Sequence, residues 1–120
     1  MARILLADDD PTALDLVSRA LSAEGHKIVR CADGQEALQH LVAAPGDFDL
    51  LVSDVEMPGL DGVELAKQAA AVKPGLRILL MSGFAGGTDH FASLNIPKVG
   101  FVSKPLTLEQ IRSAVRSALA

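Results

Sequence analysis

Two aspartates, Asp8 and Asp9, follow the apolar run in LLADDDP, and Asp10 comes directly after them. Asp54 ends a second apolar run in LLVSDVEMPG, Ser82 ends a third in RILLMSG, and Lys104 ends a fourth in FVSKP. Each alone is ordinary loop chemistry. Gathered on one rim, they would form a working set. Crowded carboxylates repel unless a cation joins them, and Mg²⁺ is the hard ion that takes a few carboxylates and carbonyls while keeping waters. A lysine facing Asp54 adds a second positive charge, and a small hydroxyl can bond a ligand oxygen. Such a set suits phosphoryl transfer. Metal and lysine neutralise charge on the transferring group, and the carboxylate can be its covalent acceptor.

The elements that must gather these residues are legible as an alternation. The runs RILLA (3–7), KIVRC (27–31), DLLVS (49–53), RILLM (77–81) and GFVS (100–103) are rich in Ile, Leu and Val and read as strands, mostly buried on both faces. Helical patterns separate them. Asp10 can cap a helix with Pro11 at its first position and Leu14, Val17, Ala20 and Leu21 inward, stopped at Gly25. Asp33 caps a second helix, with Ala37, Leu38, Leu41 and Val42 inward, ending near Pro45–Gly46. A third begins around Asp61–Gly62, with Val63, Ala66, Ala69 and Ala70 inward, and stops before Pro74–Gly75. The last opens on a capping box, Thr107-x-x-Gln110, followed by Leu108, Ile111, Val115 and Leu119. Residues 84–98 fill the slot of a further helix, yet hold Gly86, Gly87 and Pro97, so a short mobile helix near Asp89–Leu94 is expected. Alternating strands and helices imply a parallel sheet with helices on both faces and right-handed crossovers. In such a sheet, ligands bind beyond the carboxyl ends of the strands, where all the residues above would lie.

At 120 residues the chain is expected to be one domain. Apolar residues make up 49%, but aromatics only 3% with no Trp or Tyr, so the core must be aliphatic. The net charge of −4 and the lack of a basic run argue against direct nucleic-acid binding. The apolar runs are too short to span a membrane or to make a signal peptide. One cysteine, Cys31, excludes an internal disulfide, fits a reducing cytoplasm and reads as a strand position in the core. His26, His40 and His90 are far apart and show no metal spacing, so they read as surface residues.

The pieces ILLADDDP, LLVSDVEMPGLDG, ILLMSG and FVSKP, in this order and spacing, give the chain its likeness: over essentially all 120 residues it resembles the receiver domain of two-component response regulators. The resemblance implies a flavodoxin-like (CheY-like) α/β fold, a doubly wound five-stranded parallel sheet of order 2-1-3-4-5 with about five helices. It also assigns roles. Asp54 matches the phosphoacceptor, Asp9 the direct Mg²⁺ ligand, and Asp8 the partner that holds a metal-bound water. Glu56 matches the position whose backbone carbonyl completes the protein ligands. Ser82 corresponds to the hydroxyl that bonds the phosphoryl group, and Lys104 to the lysine that pairs with it. Pro105 follows an expected cis peptide bond. Phe101 occupies the aromatic switch position, although a strand phenylalanine is by default core packing. Asp10 reads as a helix cap and Asp61–Gly62 as a turn with a helix start.

The expected function is a cytoplasmic phosphorylation switch that catalyses only its own phosphorylation and dephosphorylation. The donor partner is a histidine kinase or histidine phosphotransfer protein. Output runs through protein contacts on the 84–119 surface, from a monomer or weak dimer spanning one receiver domain, 1–120. If Ala120 ends the protein, no effector domain follows, and the role is a relay or an adaptor. ILLADDD, SGFA and the early end look similar to single-domain regulators that act as adaptors for regulated proteolysis. SGF also resembles receivers excised from hybrid histidine kinases. Two other classes stand beside this reading. Aspartate-nucleophile phosphatases share the acids, but place a second Asp where Glu56 stands and carry a cap insertion that 120 residues leave no room for. A receiver-like fold that only binds proteins would not need the full set of acids, hydroxyl and lysine.

Overall fold

All five aliphatic runs become strands, and their order decides which strand ends meet. The computed structural model describes residues 2–83, 98–104 and 106–120. Strands β1 (Arg3–Ala7), β2 (Lys27–Cys31), β3 (Leu50–Asp54), β4 (Arg77–Ser82) and β5 (Val99–Ser103) form a parallel sheet of order β2-β1-β3-β4-β5. Helices α1 (Pro11–Ala23), α2 (Gly34–Ala43), α3 (Gly62–Val72) and α4 (Leu108–Leu119) connect or follow the strands, with a short 3₁₀ turn at Pro45–Asp47. The helix expected within 84–98, with Gly86, Gly87 and Asp89–Leu94, and the peptide bond before Pro105 lie outside the described residues.

Each helix starts where its cap dictates. Asp10 Oδ1 accepts from Thr12 N at 3.0 Å, Asp33 from Glu36 N at 2.8 Å and Asp61 from Glu64 N at 2.8 Å. These bonds satisfy backbone donors that a helix's first turn leaves unpaired. Thr107 and Gln110 complete the reciprocal capping box at α4. Gly25, at φ 92°, and Gly75, at φ 86°, take the left-handed conformation that ends α1 and turns the chain after α3.

The two sheet faces carry two aliphatic layers. Leu5, Ala7, Leu51, Ile78 and Leu80 pack under α2 and α3, with Ala37, Leu41, Leu65, Ala66 and Ala69. Ile4, Leu6, Leu50, Val52, Leu79 and Met81 face the other way, onto Leu21, Ile111 and Val115 of α1 and α4. The central strands are buried apart from Arg3 and Arg77 at the starts of β1 and β4, whereas the edge strands β2 and β5 are largely half-buried, because each has a neighbour on one side only. The inward faces of two helices depart from expectation. Val42 is 59% exposed. On α3 the fully buried large side chain is Leu65, with Val63 and Ala70 at the margin. The first turn of α3 sits so close to β3 that a Cβ at Gly62 would lie 2.2 Å from the Asp54 carbonyl oxygen, and the buried stripe runs Gly62, Leu65, Ala66 and Ala69, which apolar spacing alone does not reveal.

Candidate functional site

Residues on one sheet face recur every second position along a strand. On β1 the row Ile4, Leu6 continues to Asp8, and on β3 the row Leu50, Val52 continues to Asp54. On β5 Val102 belongs to the same face and Lys104 follows it. The row of β4, which lies between β3 and β5, runs Leu79, Met81 and then Gly83. A Cβ at Gly83 would meet only the Glu56 carboxylate, at 3.5 Å. The lysine reaches past the end of β4, and its Nζ lies 3.0 Å from Asp54 Oδ2 and 3.8 Å from Asp8 Oδ2.

The acids form one cluster. Ligand oxygens of Asp8, Asp9 and Asp54 all lie within 4.8 Å of one another, with Asp8 and Asp54 buried and Asp9 exposed. Asp8 is held through both its backbone and its side chain. Its N–H donates to the Cys31 carbonyl at 3.1 Å, and its Oδ1 accepts from Asp10 N at 3.0 Å. Its other oxygen, Oδ2, is buried with no hydrogen-bond partner among the described residues. A buried carboxylate oxygen with no hydrogen bond, beside two further carboxylates, is part of a donor set that a hard divalent cation fits. Burial pushes the Asp8 carboxyl above the usual carboxylate range, and the charges of Asp54 and Asp9 add to this. The Asp10 N–H and Lys104 oppose the shift without cancelling it. For Lys104, burial alone would lower the pKa, but the hydrogen bond to Asp54 and the charges of Asp8, Asp54 and Glu56 raise it overall, so the ammonium stays charged.

The surrounding loops fix these groups from behind. Val55 N donates to Met81 O at 2.8 Å and Gly62 N to Val55 O at 2.9 Å, which ties the segment after Asp54 to β4 and α3. Glu56 N approaches Asp54 Oδ1 at 3.3 Å, while the Glu56 carboxylate turns away and accepts from Gly83 N at 2.9 Å. Lys104 N donates to Ser82 O at 2.7 Å, so the end of β4 positions the lysine's backbone. Ser82 itself is buried at that strand end. Of the residues singled out from sequence, Asp8, Asp9, Asp54 and Lys104 converge, and Ser82, Gly83 and Glu56 border them. Phe101 does not join this rim; it is half-buried and packs with the layer under α2 and α3. Asp10 caps α1 and belongs to the rim only through its backbone N–H.

The model of the response regulator receiver domain matches residues 4–116. The chain belongs to this receiver family. The sensor kinase CckA of Brucella abortus (strain 2308) is 35% identical over 121 residues, which is 98% of this chain but 12% of that protein. The response regulator receiver protein CpdR of the same strain is 33% identical over 119 residues, covering 99% of this chain and 98% of that one. Among solved structures, response regulator TrrA of Thermotoga maritima, in complex with Mg²⁺-BeF, superposes with a TM-score of 0.86 at 29% identity, covering 99% of this chain and 100% of that one. Receiver domains are signalling switches of two-component systems rather than turnover enzymes. No helix among the described residues is long and apolar enough to cross a membrane.

One feature of the receiver escapes the sequence. A second convergence, Cys31 with Glu36 and His40, lies outside the acidic rim, although Glu36 and His40 stand one helical turn apart in the sequence.

The lone Asp8 oxygen carries a stability prediction. Asp8 titrates higher in the folded receiver than its ordinary 3.8, so the folded state binds that proton more tightly than the unfolded state. Its contribution favours folding at acid pH and is lost as pH rises from 3.8 through the raised folded value. With divalent cations chelated, Asp8→Asn should therefore stabilise the receiver at pH 7 by about 1 kcal/mol, the low end for relieving an unpartnered buried polar atom. Urea unfolding of both proteins from pH 4 to 7 measures this. The gain should grow with pH, and a pH-independent difference would contradict the assignment.

Proposed function

We propose that the receiver is a phosphorylation switch whose acceptor is Asp54 and whose donor is a histidine kinase or a histidine phosphotransfer protein. The observation that carries this reading is the buried Asp54 carboxylate, 3.0 Å from Lys104 and converging with Asp8 and Asp9. Asp8, Asp9, Asp54 and the Glu56 backbone carbonyl would hold Mg²⁺, while the Glu56 side chain accepts from Gly83 N. When bound, Mg²⁺ supplies charge neutralisation at the transferring phosphoryl group. An Asp54 oxygen attacks phosphorus in line, an acyl phosphate forms, and the phosphorus–nitrogen bond to the donor histidine breaks, leaving its electron pair on the imidazole. Lys104, charged, pairs with the phosphoryl oxygens, and Ser82 bonds another. Water later cleaves the acyl phosphate, returning the carboxylate and inorganic phosphate.

Ser82 and Phe101 would pass the state on by biasing an existing equilibrium. Residues 1–120 act as one such unit in the cytoplasm, with output through protein partners on the 84–119 surface. The match to nearly all of CpdR favours an adaptor role through protein contacts, and the match to CckA favours a receiver within a hybrid kinase.

The test is incubation with a small-molecule phosphodonor, with and without Mg²⁺, followed by intact mass. One phosphoryl adduct that needs Mg²⁺ and decays to the unmodified chain is expected. No adduct with Mg²⁺ demonstrably bound would replace this reading with a binding-only module. Continuous hydrolysis of a phosphomonoester would replace it with a phosphatase.

A further inference from the structure

Cys31 closes β2 with its side chain fully buried, facing the layer under α2. Glu36 and His40 stand at i and i+4 on α2, so they share one face of that helix, one turn apart. This face lies over the end of β2, and ligand atoms of Cys31 (Sγ), Glu36 (a carboxylate oxygen) and His40 (a ring nitrogen) all fall within 4.8 Å of one another. Cys31 is buried, Glu36 half-buried and His40 exposed, so the three form a graded path from core to solvent. We propose that Cys31, Glu36 and His40 form a second metal site, for a borderline-soft divalent ion of the Zn²⁺ class, distinct from the acidic rim.

The donor chemistry separates the two sites. Thiolate, imidazole and one carboxylate select Zn²⁺-like ions, whereas three carboxylates and a carbonyl select Mg²⁺. Three protein ligands leave a fourth tetrahedral position for water or an external ligand. A tetrahedral ion with bonds of roughly 2.0–2.3 Å holds its ligand atoms about 3.5 Å apart. Since no pair is farther apart than 4.8 Å, any closure needed is small, and rotation of the partly exposed Glu36 and the exposed His40 can supply it.

The frame beneath them is rigid. Cys31 is registered against Ala7 on β1. Asp33 caps α2, and Gly34 brings the helix start so near Leu60 that an added Cβ would lie 2.4 Å from its carbonyl oxygen. Without an ion, burial, the charges of Glu36 and Asp33 and a hydrogen bond to Glu36 push the Cys31 thiol up to about 12. Binding therefore releases that proton to solvent as the sulfur–metal bond forms, and the dication offsets the same carboxylates that hold the proton on. The Cys31 carbonyl also accepts from Asp8 N, so the two sites share one backbone hydrogen bond.

Titration of the whole chain with Co²⁺, a spectroscopic substitute for Zn²⁺, decides the matter. One equivalent should produce a thiolate-to-cobalt charge-transfer band that Zn²⁺ abolishes by displacement. The oxygen-only rim has no sulfur and cannot give this band. Cys31→Ser should remove it, and His40→Ala, at an exposed position that leaves the core untouched, should weaken binding at least tenfold. Should Cys31→Ser fail to fold, the His40→Ala comparison alone is sufficient. No sulfur–cobalt band in the wild type, or a band of undiminished affinity in His40→Ala, overturns the proposal.

Discussion

Asp54→Asn is expected to abolish the phosphoryl adduct, leaving roughly a hundredfold less or none, while the fold survives. The amide lacks the negative charge and the free oxygen pair that attack phosphorus, so the covalent step loses its nucleophile. Asparagine nevertheless keeps the aspartate's shape and an oxygen able to accept from Glu56 N, which approaches Asp54 Oδ1 at 3.3 Å. What disappears is the ion pair with Lys104 at 3.0 Å and one of the charges that raise the Asp8 pKa. These losses act in opposite directions on stability, because a buried acid cluster repels itself while Lys104 holds it together. Unfolding midpoints of variant and wild type should stay close in the absence of divalent cations. Intact mass after phosphodonor treatment reads the chemistry, and the midpoint reads the fold. An adduct that persists in Asp54→Asn would move the acceptor to another residue and remove the basis for the proposed switch.

The residue types at the site were legible in sequence because each stands at the end of an aliphatic run, where strand polarity changes abruptly. Asp8, Asp54, Ser82 and Lys104 all meet that description, and the parallel-sheet rule brings strand ends together without any knowledge of side-chain positions. The caps were equally legible, since Asp10, Asp33, Asp61 and Thr107 satisfy donors within two or three residues of themselves. Features set by more distant contacts were not. Val42 on α2 is exposed and Leu65 on α3 is buried, because how each helix rolls on the sheet is set by its tertiary contacts and not by apolar spacing alone. The Asp8 oxygen without a hydrogen bond, the reach of Lys104 to Asp54 and the meeting of Cys31 with His40 likewise depend on which elements are neighbours. Sequence pattern reports local choices well; pairwise approach across the sheet is a property of the assembled layers.

Gly62→Ala is expected to be the most damaging single-methyl change near the rim. A Cβ at Gly62 would lie 2.2 Å from the Asp54 carbonyl oxygen, 2.8 Å from Val55 Cα and 2.9 Å from the Asp54 carbonyl carbon. All three are backbone atoms, so no side chain can swing aside. Either α3 must lift from the end of β3 or the peptide that carries the acceptor must move. Lifting α3 would stretch the 2.9 Å bond from Gly62 N to Val55 O and loosen Leu65, Ala66 and Ala69 in their layer. Overpacking of this kind costs about 1–3 kcal/mol where neighbours can relax, and the upper end or beyond is expected here because they cannot. Moving the peptide displaces Asp54 from Lys104, and an ångström of misplacement in a transfer site costs about a hundredfold in rate. Gly62→Ala should therefore lower the urea midpoint and slow adduct formation even in the fraction that remains folded. Gly46→Ala is the matched control, since nothing lies within 4 Å of its added Cβ, and it should change stability by less than about 0.5 kcal/mol. If the two alanines behave alike, the close seating of α3 on the acceptor strand does not govern the position of Asp54. If only Gly62→Ala fails, the close approach of Gly62 to the Asp54 peptide is what holds the carboxylate in reach of Lys104.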